Sequence, residues 1–310
     1  AVTRPVMTLP LTLRSITAFC SPTGVRMTIF HRPAKSCGFA VSALAAFALT
    51  EPQAGSDAAA IQATAVKDGD FYVLNGTKQW ITNAGEAEFY TVIALTDRTK
   101  GVRGASALMV EKNDPGISFG KKEKKMGIRA STTREVILED CRIPKDRLLS
   151  KEGMGFIITM KTMDLARPGA GALAVGLAQS ALDEAAAFAK ERHQFGAPIF
   201  SFQAVQHLLA DIATNVEAAR ALVYSVARHI DSKPKDYSKE GAMAKLFATD
   251  MAMKATVDAV QVMGGHGYMR EYPVEKMMRD AKILQIYEGT NQIMRNVIGL
   301  ALNKEYSKKK

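Results

Sequence analysis

The chain has 310 residues, 47% of them hydrophobic and 23% charged, with a formal net charge of +10, a size and balance that suit a globular protein of two domains. No run of 18 or more apolar residues occurs, which excludes a helix that spans a membrane. Three cysteines without paired spacing (Cys20, Cys37, Cys141) and five scattered histidines supply neither a disulfide framework nor a metal cluster, and no metal is expected.

Residues 1–50 hold five basic residues (Arg4, Arg14, Arg26, Arg32, Lys35) and no Asp or Glu, and they show no sustained helical or strand period. A transit peptide, a lineage-specific replacement, and a disturbed or truncated start all suit such a composition. The remaining basic excess lies in Lys121-Lys122-Glu123-Lys124-Lys125 and at the tail. No aromatic residues interleave with these lysines, so no nucleic-acid partner is expected, and a solvated face or an anionic small molecule accounts for the charge.

An apolar run next ends in Phe47-Ala48-Leu49-Thr50-Glu51-Pro52, followed by Gln53-Ala54-Gly55-Ser56-Asp57. Pro52 forces Glu51 to be extended, and Gly55 and Ser56 can turn N–H groups and a hydroxyl toward an anion; a plain turn is the alternative. From Ile61 to about Leu148 short alternating runs predict antiparallel strands, with turns at Asp68-Gly69 and at Asn75-Gly76, the latter read as a hairpin. A β-barrel or sandwich is expected over 47–154. No Gly-x-Gly-x-x-Gly string follows a strand, so a nicotinamide Rossmann domain is not supported.

The pattern turns helical from Gly155. Val205, Leu208, Leu209, Ile212, Val216, Val223 and Val226 keep a 3.6-residue period, as do Met243, Leu246, Phe247, Met253, Val257 and Val260 before a Gly264-Gly265 cap. Pro168 should kink the first helix, and Gly169-Ala170-Gly171 reads as close helix packing. Near the C-terminus, Gln285-Ile286-Tyr287-Glu288-Gly289-Thr290-Asn291-Gln292 sets one carboxylate among apolar and aromatic neighbours. Such a setting raises a carboxyl pKa toward that of a general base, although a surface carboxylate before a helix fits the string as well. Thr290 or Asn291 can cap the helix that follows.

Taken together, the Thr50-Glu51-Pro52 and Glu288 strings resemble the acyl-CoA dehydrogenase family. Further matches come in the family's order: Gln79-Trp80-Ile81-Thr82-Asn83, Met126-Gly127-Ile128-Arg129, Glu139-Asp140-Cys141-Arg142-Ile143-Pro144, Glu191-Arg192-His193-Gln194-Phe195-Gly196, Gln261 to Tyr268, Glu271 to Lys276, and Arg279-Asp280-Ala281. The resemblance runs from about Phe47 to about Leu302. It implies an α+β fold, an antiparallel β-barrel over 47–154 and a C-terminal four-helix bundle over 155–310, with 1–46 left as an atypical segment, disordered or non-homologous.

It also implies FAD as cofactor, an acyl-CoA substrate, an electron-transferring flavoprotein as partner and a homotetramer. Glu288 is the implied base, and its backbone N–H a donor to the developing enolate. Flavin contacts are implied for Phe47, Leu49, Thr50, Gly55, Ser56, Trp80, Ile81, Thr82, Thr290, Asn291 and Gln292. A neighbouring subunit's FAD would meet Arg192, Gln194, Phe195, Gln203, Gln261, Val262, Gly264 and Gly265. Ser56, Asp164, Arg167, Tyr287 and Gly289 are implied on the substrate side. Core packing is the alternative for Trp80, and a buried helix pair the alternative for Asp164 and Arg167. Some relatives place the base beside an Arg one helix away, but Ala166 precedes Arg167 here, which closes that position.

The Glu139 to Pro144 run and Ala242-Met243-Ala244-Lys245 look most like short-chain members, which implies a short acyl group. The family carries a helical domain ahead of Thr50-Glu51-Pro52 for which residues 1–46 offer no counterpart; a disturbed or truncated start explains this best, with weak FAD binding expected. An impaired family member, or an acyl-CoA oxidase-like flavoprotein, is the alternative function. Such an enzyme belongs in the cytoplasm of a bacterium or the mitochondrial matrix of a eukaryote.

Overall fold

The computed structural model describes residues 16–21, 24–29 and 43–307, the first two runs by their backbone alone. β1 (Ile16–Ser21) and β2 (Gly24–Ile29) pair antiparallel with Ile16 opposite Ile29, although the sequence there shows no strand period. The other expectations for residues 1–42 lie outside the described residues. Two compact units follow, one ending at residue 156 without 125–129, the other made of 125–129 and 157–310.

The first unit, which includes β1 and β2, is built around an eight-stranded sheet. The strands of that sheet are β3 (Ala45–Ala48), β4 (Thr64–Asp68), β5 (Phe71–Thr82), β6 (Phe89–Leu95), β7 (Ala105–Glu111), β8 (Ile117–Phe119), β9 (Thr133–Pro144) and β10 (Leu148–Leu149). They run in the order β10-β7-β6-β4-β5-β9-β8, with β3 beside β6. The expected antiparallel barrel is not found: the outer strands do not pair, so the sheet is open, and β3 and β4 each meet β6 in parallel. Alternation along β5 buries Tyr72 and Leu74, which join Tyr90, Leu108, Leu138 and Ile143 in one core.

Asp68-Gly69 does make the β4–β5 turn, with Asp68 opposite Phe71. Asn75-Gly76, by contrast, is no hairpin, because it lies inside β5 at a break in the register with β9. Gly76 has φ +143°, and a Cβ there would lie 2.7 Å from that of Ala63. Asn75 meanwhile grips the partner strand, donating from Nδ2 to Asp140 Oδ1 at 3.0 Å and accepting the Asp140 N–H at 2.8 Å. The dipeptide's tolerance of unusual backbone serves a bulge.

Beneath the Thr50-Glu51-Pro52 string lies a buried ion pair. Glu51 and Ala54 exchange backbone hydrogen bonds of 3.0–3.1 Å around Pro52 and Gln53. The Glu51 carboxylate points inward, accepting from Lys78 Nζ at 2.7 Å and from the N–H groups of Gln62 and Ala63 at 2.6 and 3.1 Å. Lys78 is fully buried and also donates to the Leu49 carbonyl at 3.0 Å, while burial lowers its pKa. A carboxylate with three donors is well satisfied, but removing one partner strands the other.

The second unit is helical: α1 (Gly155–Glu191, whose first two residues belong to the sheet unit), α2 (Gln203–Asp231), α3 (Ser238–Met263), α4 (Val274–Leu284) and α5 (Asn291–Ser307). Three are long and two short, so the expected bundle of four long helices is corrected to this set. Between α1 and α2, β11 (His193–Gln194) and β12 (Ala197–Pro198) form a minimal hairpin. The inward stripe predicted for α2 is observed, with Leu209, Ile212, Val216, Val223 and Val226 buried.

The stripe predicted for α3 is not. Phe247 and Val257 are exposed, and the buried face carries Ala242, Ala244, Ala248, Ala252, Ala255 and Ala259. α3 has α2, α4 and α5 against it and touches α1 as well, and small residues are what let so many backbones approach. Gly171 of α1 shows how close they come, since a Cβ there would lie 3.0 Å from Val223 and 3.3 Å from the Ala244 carbonyl oxygen. α1 runs on through Pro168 as one helix. Pro168 leaves the Asp164 carbonyl without its helical donor, and Gly241 of α3 lies against that carbonyl, a Cβ there being 3.1 Å from the oxygen.

Lys78→Met should lower the stability of the sheet unit by about 3 kcal/mol through the stranded Glu51 carboxylate. Urea unfolding checks this, and adding Glu51→Gln to that variant should recover part of the loss.

Candidate active site

Residues 285–289 link α4 to α5. Within this turn Glu288 has φ +55° and Gly289 φ +89°. Glycine takes such angles freely, whereas a glutamate does so at a cost of about 1 kcal/mol that its surroundings must offset. A Cβ on Gly289 would also lie 2.6 Å from Met294 Cε. Thr290 rather than Asn291 caps α5, its Oγ1 accepting the Ile293 N–H at 3.2 Å.

Glu288 is half-buried, but its Oε2 is enclosed and has no hydrogen-bond partner. Its backbone N–H also lacks a partner among the described residues. Burial raises the carboxyl pKa above its ordinary value, and the positive charges of Arg167 and Lys245 oppose that rise. A carboxylate without donors in a dry setting binds a proton readily, as a base needs.

Two cations flank it. Arg167 is buried and pairs with Asp164 at 2.5 Å, and Asp164 also accepts from Ser238 Oγ at 3.0 Å. Burial lowers the Arg167 pKa and raises that of Asp164. This is the helix-pair reading of the two residues; Arg167 Nε, buried and unbonded, remains to meet something else. Lys245 is fully buried and donates to the Gly289 carbonyl at 2.8 Å and to Asn291 Oδ1 at 2.7 Å. Asn291 donates in turn to Thr249 Oγ1 at 2.9 Å and Asp250 Oδ1 at 2.7 Å. Asp250 also receives Gln285 Nε2 at 2.7 Å and Arg295 Nη2 at 2.9 Å.

Sequence reasoning missed Lys245, Thr249 and Asp250. The available signal was a lysine and a threonine set at helical spacing within an alanine stripe. It also took Asn291 for a flavin contact, but that side chain is buried and committed to Lys245, Thr249 and Asp250. Tyr287 packs against the core formed by α1, α2 and α3.

The sheet unit carries its own candidates. Trp80 has φ +56° at the second register shift of β5 and is 60% exposed, so the core-packing alternative does not hold for it. Thr82, Gly55 and Ser56 are exposed, while Phe47, Leu49 and Thr50 are half-buried. Gln79 N–H donates to the Thr50 carbonyl at 2.8 Å, which leaves the Thr50 N–H and hydroxyl without partners among the described residues. Two free donors and an uncovered indole suit a planar heteroaromatic group such as a flavin. Ile81 turns its side chain into the sheet core, which leaves its backbone as the part a ligand could meet.

In the helical unit, Arg192, Gln194, Gln203, Gln261, Gly264, Gly265 and Gln292 are all exposed. Phe195 and Gly196 (φ +52° and +78°) make the β11–β12 turn, and Phe195 is 96% exposed. Its ring meets that of Phe202 edge-on, with centroids 6.0 Å apart, and otherwise lies in solvent. The Val262 side chain packs in a core with Ala259 and Val274, which leaves its backbone as the part a ligand could meet. Elsewhere in the unit, two distant strings meet: Asp280 Oδ1 accepts the Ile128 N–H at 2.5 Å, and Arg279 Nη1 donates to the Met126 carbonyl at 2.9 Å. Gly127 is needed there, because a Cβ would lie 2.4 Å from the Arg279 carbonyl oxygen. Among the described residues no cluster suits a metal ion, and no helix is long and apolar enough to cross a membrane.

Comparison with known proteins gives the same picture from outside. Family models for the acyl-CoA dehydrogenase middle domain and C-terminal domain match residues 46–141 and 153–302. A probable acyl-CoA dehydrogenase of Mycobacterium tuberculosis is 52% identical over 263 residues, which is 85% of this chain and 68% of the relative. Butyryl-CoA dehydrogenase from Megasphaera elsdenii superposes with a TM-score of 0.82 at 48% identity, over 84% of this chain and 68% of that one. A chain from a structure described as the electron transferring flavoprotein of Acidaminococcus fermentans gives 0.83 at 55% identity, with the same two coverages.

The buried carboxyl can be tested without any ligand. A raised native pKa means that the folded state binds the Glu288 proton more tightly than the unfolded state does. That contribution is complete below pH 4.5, the ordinary value, and is lost as pH rises through the native pKa. Glu288→Gln should therefore gain stability relative to wild type as pH rises from 4.5 to 8, with the difference closing in acid, as followed by urea midpoints.

Proposed function

Because the chain belongs to the acyl-CoA dehydrogenase family of FAD-dependent oxidoreductases, we propose that it desaturates a short-chain acyl-CoA to the trans-2-enoyl-CoA and passes the electrons to an electron-transferring flavoprotein. The observation that carries this reading is Glu288, whose unpartnered Oε2 and unpartnered backbone N–H belong to one residue. An acyl thioester loses its α-proton only if the enolate oxygen is stabilised as it forms. The Glu288 carboxylate takes the α-proton, and the Glu288 N–H donates to the thioester oxygen. Where bound substrate excludes water, that hydrogen bond would be far stronger than in water. Arg167 and Lys245 oppose the rise that burial causes and so favour the ionised form.

FAD, when bound, accepts the hydride from Cβ. Thr50 would hold it through its two free donors, with Trp80 and Thr82 beside the ring and Phe47, Leu49, Gly55 and Ser56 along it. The family resemblance assigns Thr290 and Gln292 to FAD as well. Arg192, Gln194, Phe195, Gln203 and Gln261, with the backbone of Val262, Gly264 and Gly265, would serve the FAD of a neighbouring subunit in a homotetramer. The planar fork of Arg192 suits a pyrophosphate, and that side chain has no partner among the described residues. Exposed Phe247 and Val257 on α3 offer the apolar surface that subunit association would cover. Ser56, Tyr287 and Gly289 would face the substrate, with Arg167 Nε the free donor of the Asp164 pair.

The short-chain assignment draws on the likeness to butyryl-CoA dehydrogenase, and the acceptor on the likeness to a chain described with an electron transferring flavoprotein. Glu288→Gln should retain FAD yet lose bleaching of the flavin by butyryl-CoA by about a thousandfold, the scale of a lost general base. Stopped-flow absorbance measures this, and an undiminished rate would remove Glu288 from the mechanism. Arg192→Ala should lose flavin content and tetramer together, read by absorbance ratio and light scattering; full occupancy in an intact oligomer would make it an ordinary surface arginine.

A further inference from the structure

Of the two cations that act on Glu288, one is already neutralised and the other is not. Arg167 has Asp164 at 2.5 Å. Lys245 has no carboxylate within ion-pair distance among the described residues; its acceptors are the Gly289 carbonyl and Asn291 Oδ1, both neutral. A fully buried ammonium without a counter-ion is among the costlier things a core can contain, and a methionine would fill the same volume without that cost. The residues around it on the same face of α3 are Gly241, Ala242, Ala248 and Thr249, so nothing in the packing asks for a lysine.

What Lys245 touches is the turn that carries Glu288. Its bond to the Gly289 carbonyl holds the peptide plane between Gly289 and Thr290, and its bond to Asn291 ties the first residue of α5 to α3. These two anchors close on the residues at φ +55° and +89°. We propose that Lys245 is a positioning residue for the base: its ammonium holds the Glu288–Gly289 turn in its left-handed form and supplies the unneutralised positive charge that faces the Glu288 carboxylate.

This rests on the reading of Glu288 as the base. The charged groups that act on Lys245 are Glu288 in the turn, Asp250 on α3 and Arg167 on α1. Behind them, Arg295 of α5 bonds Asp250 and Asp164 pairs with Arg167. Burial brings the Lys245 pKa down to about 8, with Glu288 and Asp250 opposing the fall. Below that pH Lys245 is a cation and favours ionised Glu288. As pH rises through it the charge is lost, and Glu288 holds its proton more tightly. The wild-type rate should therefore climb with pH less steeply than a single ionisation allows, over a range that extends past pH 8.

The test compares Lys245→Gln, Lys245→Met, Glu288→Gln and the double variant Lys245→Gln/Glu288→Gln in the full chain. Glutamine keeps a donor and removes the charge, and methionine removes both. Bleaching by butyryl-CoA from pH 6 to 9 should show the acid limb of both single Lys245 variants displaced upward. The rate should fall about tenfold at pH 6.5 and approach that of wild type at pH 9 for Lys245→Gln. Simple loss of packing would lower the rate equally at every pH.

Urea unfolding at pH 7 gives the arm that needs neither flavin nor turnover. The unfolding constant of the double variant should depart from the product of the single effects by about threefold or more. An additive cycle overturns the Lys245 role, and if Glu288→Gln has lost bleaching the base assignment survives it. A coupled cycle with undiminished bleaching by Glu288→Gln strikes the base assignment instead, and leaves the contact between the two residues standing. Should the Lys245 variants not fold, a wild-type profile that follows one sharp ionisation overturns the proposal, and a broadened one supports it.

Discussion

An ammonium group cut off from water must be met by acceptors, and the arrangement at the end of this chain follows from how Lys245 meets its own. One acceptor is the Gly289 carbonyl, which can face α3 only if the chain turns left-handed before α5. That turn makes glycine necessary at 289. It also takes the Glu288 N–H out of any helical ladder, so that both of the residue's polar groups are left for something outside the protein. The second acceptor, Asn291, is drawn into the core and carries the network on to Asp250, Gln285 and Arg295. One buried charge thus organises a turn, a helix start and the setting of an unpartnered carboxylate oxygen.

The sheet unit uses a related device to a different end. Lys78 also lies in the core, and it too secures a turn, the one built on Glu51, Pro52, Gln53 and Ala54. There the partner is a carboxylate with three donors on it, so the charges cancel and little field remains for a ligand to feel. What that pair supplies is position: the Leu49 carbonyl is held by Lys78 and the Thr50 carbonyl by Gln79, and the remaining donors of Thr50 point elsewhere. Lys245 holds its turn with neutral acceptors and keeps its charge. The difference between the two lysines is the difference between a fastening and a field.

How much of this could be read from the chain alone depends on the kind of signal. Strings with an unusual local composition announced themselves, as at Glu288 and at Arg192 to Gly196, because glycine, proline and an isolated carboxylate are conspicuous one residue at a time. The inward stripe of α2 was legible since that helix has one buried side and large apolar residues on it. α3 defeated the same rule: with neighbours on several sides it buries mostly alanines, adds Met251, Val262 and Met263 off the predicted stripe, and leaves Phe247 and Val257 exposed. Asn75-Gly76 misled for a related reason, because a bulge asks for the same backbone freedom as a hairpin. Lys78 and Lys245 were hidden by the habit of assigning lysine to the surface. Strand closure could not be judged, since it depends on pairings among residues far apart in sequence.

The alanine face of α3 bears on how this chain tolerates change. Where a core is built from leucine and phenylalanine, most substitutions make residues smaller, and the loss is a cavity that neighbours can partly fill. Every replacement of a buried alanine except glycine adds atoms, into a space so tight that even a Cβ on Gly171 would lie only 3.0 Å from Val223. Drift at these positions is therefore one-sided. The helical unit should diverge freely on the outer face that carries Phe247 and Val257, and hardly at all along the row from Ala242 to Ala259, so that its most ordinary residues are also its least replaceable.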